Sequence, residues 1–97
     1  MTEAGKKIIE IFKSKGRFTL LGNKEFWEVL ISTGGKIIDS EGETFGNIET
    51  SRKEISEAKA LKKIKEYFTR HSNTWEKESV KTDIDVLEYW KRWEHEG

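Results

Sequence analysis

The chain has no cysteine, which excludes disulfides, thiolate metal sites and cysteine nucleophiles. It has no net charge either, since 18 basic residues balance 18 acidic ones. A balanced chain is not drawn as a whole to nucleic acid or to a membrane, so an electrostatic partner has to be met by a local patch. Apolar residues are scarce, at 34% against 37% charged, and no apolar run approaches a membrane span. Met1 to Ile11 lacks the long apolar core of a signal peptide, so a cytoplasmic location without membrane contact is expected. Glycine is missing from most of the second half: seven of the eight precede Asn47, and none falls between Asn47 and Glu96.

What is present fits a single small domain over residues 1–97, because a chain this short has little surplus core to divide. Four tryptophans, five phenylalanines and two tyrosines offset the lean apolar content, each burying a large area. Lys6 to Lys13 is open between helix and strand: Ile8, Ile9 and Phe12 fit a helical face, while the β-branched density fits a strand. Ser14-Lys15-Gly16 reads as a turn. Arg17 to Leu21 then leads to Gly22-Asn23, a favoured two-residue hairpin connection. Glu25 to Thr33 is aromatic and β-branched and ends on Gly34-Gly35, a pair able to take positive φ at both turn positions, so it is predicted as a strand. Lys36 to Ser40 pairs back across that turn, Gly42 to Gly46 forms a loop, and Asn47 to Arg52 adds a short polar strand.

From Ile55 the period changes. Ile55, Ala58, Leu61, Ile64 and Phe68 recur on one helix face, with Ser51 and Glu54 as a capping box or Ser56 as a later start. This helix is expected to end near Arg70 to Asn73, with Arg52, Lys59, Lys63 and Arg70 on the face opposite Leu61 and Phe68. Asp83 to Glu96, capped by Thr82 or Asp83, is a short helix carrying Tyr89, Trp90 and Trp93. The fold class is therefore α+β: a small antiparallel β-meander sheet with a long helix across one face and a short C-terminal helix.

Three segments in this order carry a family resemblance. Asn23-Lys24-Glu25-Phe26-Trp27-Glu28-Val29 resembles the start of WGR domains. Ser56-Glu57-Ala58-Lys59-Ala60, running on to Phe68, resembles their helix, and Ser72-Asn73-Thr74-Trp75 is similar to the motif that follows it in poly(ADP-ribose) polymerases. The similarity spans roughly residues 17–75, leaving 76–97 as a C-terminal aromatic segment. The name-giving Trp-Gly-Arg has a degenerate counterpart, either Phe45-Gly46-Asn47 or the surroundings of Gly42. The resemblance implies an antiparallel sheet with a helix across it, and a non-catalytic module that contacts DNA, RNA or a neighbouring domain.

On that expectation Phe45 stacks on a sugar or base, and Asn47 donates a hydrogen bond without supplying an arginine's charge. Phosphate contacts fall to Arg17, Lys36, Arg52, Lys59 and Lys63. This reading needs the basic residues to converge beside Phe45. An alternative is a protein-interaction or homodimer module, which needs Tyr89, Trp90 and Trp93 to remain exposed. Trp27 and Trp75 could serve as binding platforms, but a tryptophan in a β-branched setting is more often core, so they are expected to be structural. The two histidines, His71 and His95, lie at predicted helix ends, where charge–dipole interactions give them an ordinary role. Glu94-His95-Glu96 has metal-binding residue types, but adjacent helical residues point apart. The carboxylate pairs Asp83 and Asp85, or Glu41 and Glu43, suit caps and loops. No glycine-rich phosphate loop is present. Neither catalysis, a cofactor nor a metal is expected.

Overall fold

The computed structural model describes residues 1–75 and 82–96, with side chains described over 1–70 and 82–92. The elements follow the chain as α1 (Glu3–Lys15), β1 (Arg17–Leu21), β2 (Glu25–Ile31), β3 (Ile37–Glu43), β4 (Ile48–Ile55), α2 (Glu57–Trp75) and α3 (Asp83–Glu96). The four strands form one antiparallel sheet in the order β1-β2-β3-β4. The helices lie against one of its faces, with α2 crossing β1, β2 and β3, and α1 packed on β1, α2 and α3. This is the α+β meander read from the turns and the helical period.

The segment left open between strand and helix is α1. Its β-branched pair Ile8-Ile9 is buried, as are Ala4 and Phe12, so one helical stripe faces the core. Both ends are capped. Thr2 Oγ1 accepts from the Gly5 N–H at 3.0 Å, and Gly16 takes a left-handed φ of 77° while its N–H donates to Phe12 O at 2.8 Å. The Ser14-Lys15-Gly16 turn is thus the helix C-cap.

The hairpins differ from expectation in detail. Gly22 flanks the β1–β2 turn, its N–H donating to Glu25 O at 2.7 Å, so Asn23-Lys24 forms the tip. In the β2–β3 connection Gly35 N–H donates to Ser32 O, and Ser32 N–H to Lys36 O. Only Gly35 has positive φ, at 79°, giving a three-residue loop in which one left-handed glycine closes the bulge. The loop expected over Gly42 to Gly46 is shorter, because Gly42 and Glu43 continue β3. Phe26 lies directly across from Gly42, and a Cβ there would run into the Phe26 ring and the Ile48 carbonyl oxygen. The glycine is needed for close approach inside a strand rather than for a turn. The turn itself is Thr44 to Asn47, with Gly46 at φ 78° and Asn47 at φ 52°. β4 extends to Ile55 and carries a bulge opposite Glu41/Gly42.

Alternation puts Phe18, Leu20, Trp27, Val29, Ile31, Ile37 and Asp39 on the helix-facing side. α2 presents Ala60, Leu61, Ile64, Tyr67 and Phe68 to it, all buried, whereas Ala58, placed on the same stripe by sequence, is exposed. Ser56 is the α2 cap, its Oγ accepting from the Lys59 N–H at 3.3 Å. α2 runs past Asn73, the last expected position, to Trp75. Thr82 caps α3 in a reciprocal box: Asp85 N–H donates to Thr82 Oγ1, and Thr82 N–H to Asp85 Oδ2, both at 3.1 Å. At the core's centre Phe68 meets Phe18, Trp90 and Tyr89 with ring centroids 4.7, 5.4 and 5.5 Å apart.

Candidate functional site

Asp39 interrupts the apolar alternation of β3, and it is only 2% exposed. A carboxylate placed there needs partners, since burying an unpaired charge costs several kcal/mol or more. Tyr67 on α2 donates its hydroxyl to Asp39 Oδ1 at 2.6 Å and lies 3.3 Å from Glu41 Oε1. Lys63, one turn earlier, brings its ammonium to 3.7 Å from Asp39 Oδ2, 4.0 Å from Glu41 and 3.8 Å from Glu66. Burial, reinforced by the hydrogen bond from the phenol to Asp39 and by that carboxylate's charge, pushes the Tyr67 hydroxyl well above the usual phenol range. The phenol therefore stays protonated and acts as a donor. The cluster satisfies itself and ties α2 to β3.

Beside it, between β4 and α2, opens a cleft of about 180 Å³ in which Lys53, Lys59, Lys62 and Lys63 surround Asp39, Ile55 and Glu66. Lys63 is committed to the acidic cluster. Among the described residues, Lys53, Lys59 and Lys62 make no ion pair. Lys59, Lys62 and Lys63 follow the i, i+3, i+4 spacing of one helix face, a signal present in the sequence from which only Lys59 and Lys63 were taken. Lys53 joins them because it sits opposite Asp39 in the β3–β4 ladder, which no local pattern announces.

The remaining basic positions do not gather there or beside Phe45. Arg17, at the start of β1, pairs with Glu28 at 3.3 Å, and Glu28 also accepts from Thr19 Oγ1 at 2.8 Å. Arg52 pairs with Glu49 at 3.4 Å, where Glu49 accepts from the buried Ser40 Oγ at 2.9 Å. These links lie on the sheet face away from the helices. Lys36 lies at the β2–β3 turn, 3.9 Å from Glu54. Phe45 and Asn47 occupy the β3–β4 turn at the opposite end of the hairpins. The expected convergence on Phe45 is therefore corrected: the seven-residue strand β3 separates that turn from Lys36, and acidic neighbours occupy Arg17, Lys36 and Arg52. Arg70 and Lys63 are likewise not on a face turned from the sheet. Arg70 lies 5.3 Å over the Trp27 ring and 5.9 Å from Tyr67.

The C-terminal aromatics are a second correction. Trp90 is 1% exposed and Tyr89 7%, because α3 turns this face into the Phe18–Phe68 cluster. They build the core and leave no aromatic patch for a partner at these two positions. The side chains of Trp93, Trp75, His71 and His95 lie outside the described residues, and so does the Glu94-His95-Glu96 group. Trp27 packs half-buried against the core, 6.1 Å from Tyr67. Asp83 bonds Lys65 at 2.7 Å and accepts from Thr2 Oγ1, while Asp85 serves the α3 cap. Among the described residues no group of histidines and carboxylates has the geometry of a metal centre, and no helix is long and apolar enough to cross a membrane.

These features define an α+β domain with one helix-covered sheet face, a self-satisfied buried polar cluster and a lysine-lined cleft. Comparison with protein-family models, with curated proteins and with solved structures returns no match to this chain.

Proposed function

We propose that this chain is a non-catalytic, WGR-like nucleic-acid-associated adaptor domain whose phosphate-contacting surface is the cleft between β4 and α2. The observation that carries the reading is the grouping of Lys53, Lys59, Lys62 and Lys63 around one cleft, with three of them free of acidic partners among the described residues. Phosphate contacts supply most of the non-specific affinity of such domains. Four ammonium groups over one helix turn and an adjacent strand match a short stretch of backbone rather than a single base edge. Lys63 is held by Asp39, Glu41 and Glu66, so Lys53, Lys59 and Lys62 act as the mobile contacts. Arg17, Lys36 and Arg52 have no part in this surface.

The test is a titration with duplex and single-stranded DNA at several salt concentrations. Three to four phosphate contacts on duplex predict a loss of affinity of about 40- to 150-fold between ~50 and ~200 mM salt. The triple substitution Lys53→Gln, Lys59→Gln, Lys62→Gln removes binding while leaving the fold intact, since all three side chains are exposed and no carboxylate is placed opposite Asp39. Absence of binding by the native chain at the lowest salt refutes the reading.

A further inference from the structure

Lys63 Nζ lies 3.7 Å from Asp39, 4.0 Å from Glu41 and 3.8 Å from Glu66. Each distance exceeds the about 2.7–3.2 Å of an N–H···O hydrogen bond, so the ammonium is shared among three carboxylates and bonded to none. The three anchors are not alike. Asp39, 2% exposed, also holds the Tyr67 hydroxyl at 2.6 Å, and Glu41 lies 3.3 Å from the same hydroxyl. Among the described residues Glu66 has no partner besides Lys63, and 41% of its side chain is exposed. It stands one helix turn after Lys63 and lines the cleft between β4 and α2, as Asp39 does and Glu41 does not. Four ammonium groups therefore face two carboxylates in that cleft, of which Asp39 is buried and Glu66 meets solvent.

We infer, on the reading of this cleft as a phosphate-contacting surface, that Glu66 regulates it by holding Lys63 in reserve. An incoming phosphate takes the place of Glu66 beside the ammonium. Carboxylate and phosphate oxygens compete for the same donor, and Glu66 is the anchor that can leave. Its carboxylate is already partly hydrated, so releasing it to water strands no buried charge. Asp39 cannot be released in the same way, because an ion pair lost in a buried place is not replaced by water. Lys63 thus keeps its inner anchor and exchanges only the outer one. Lys53, Lys59 and Lys62 make the first contacts, and the exchange at Lys63 adds a fourth. Glu66 thereby lowers the affinity of the cleft and sets how strongly it holds a polyanion once the free lysines are engaged.

Binding of a short DNA duplex at ~0.1 M salt, where charges more than about 10 Å apart are largely screened, tests this. Glu66→Gln is expected to tighten binding about three- to fivefold, the effect of one unit charge at close range in water. Its thermal melt changes little, since the pair it removes is exposed. Glu88→Gln removes the same charge from an exposed position of α3 outside the cleft, and leaves affinity within about twofold of native. In a Lys63→Gln background the gain from Glu66→Gln is expected to disappear, because the reserved cation is gone. Equal gains from Glu66→Gln and Glu88→Gln overturn the inference, since net charge alone then accounts for both. An affinity of Glu66→Gln equal to or weaker than native overturns it as well, and so does a gain that persists in full without Lys63. If Lys63→Gln does not fold, the comparison of Glu66→Gln with Glu88→Gln decides. Native binding that is indifferent to Glu66→Gln refutes this inference and leaves the reading of the cleft standing. No binding by either chain at the lowest salt refutes both.

Discussion

β1 and β4 are the two edges of the same sheet, yet β1 buries Phe18 and Leu20 beneath the helices while six of the eight residues of β4 are exposed. β1 is held by apolar area, through the aromatic cluster of Phe18, Phe68, Tyr89 and Trp90. β4 is held by its ladder to β3 and by polar links such as Ser40 to Glu49 and Arg52 to Glu49. Such exposed pairs contribute little each, roughly 0–1 kcal/mol. The charges and bulge of β4 also discourage edge-to-edge pairing. Stability therefore concentrates on the β1 side, and the more exposed edge is β4.

The largest effect expected from this asymmetry is Trp90→Ala. Truncating a ring that is 1% exposed costs about 3–5 kcal/mol, read as a lower midpoint in urea unfolding. Arg52→Ala on β4, measured the same way, costs about 1 kcal/mol or less. Equal losses at the two edges would break the comparison.

The cluster of Asp39, Tyr67 and Lys63 bridges the two sides, and Tyr67→Phe probes it at intermediate size. Removing the hydroxyl leaves Asp39 with one partner fewer in a buried place, a loss of about 1–3 kcal/mol. Asp39→Ala removes the charge as well and leaves Tyr67 with Glu41 and Lys63 with Glu41 and Glu66. A Tyr67→Phe melt matching the native one would mean that Lys63 by itself already satisfies Asp39.

The smallest effect is a pH dependence at the junction of α1, α2 and α3. The hydrogen bond from Lys65, followed by that from Thr2, holds the Asp83 carboxyl below its ordinary value. A carboxyl depressed in the folded state adds stability that is present above its unfolded pKa and lost as pH falls through the folded one. The native chain is thus expected to lose helix-junction stability from about pH 4 downward. Asp83→Asn should flatten that part of the profile while lowering stability at neutral pH. Parallel acid profiles for the two proteins would remove Asp83 from the account.

Much of the fold was legible in local chemistry. The strands from Arg17 to Ile31 and the stripe Leu61, Ile64, Phe68 follow from turn residues and from period. α1 remained open because Ile8-Ile9 favours either state locally. The deciding features were its ends, Thr2 and Gly16, whose capping roles depend on backbone geometry. The candidate site was legible only in part. Lys59 and Lys63 line the cleft, as do Lys53 and Lys62, which the sequence reading missed, while Arg17, Lys36 and Arg52 lie within ion-pair distance of Glu28, Glu54 and Glu49. The Arg17–Glu28 pairing joins two strands and Lys36–Glu54 joins a turn to β4, and a linear pattern does not contain them, whereas Arg52–Glu49 is local to β4.

By itself the sequence determined the element types from β1 onward, the positions of the turns and the apolar face of α2, because each depends on residues within one or two turns of each other. The tertiary structure decided which charges remain free, that Tyr89 and Trp90 are core, and that Asp39 is buried beside a tyrosine 28 positions away. Burial and charge pairing depend on what lies opposite in space, and that is set only when α2 and α3 close over the sheet.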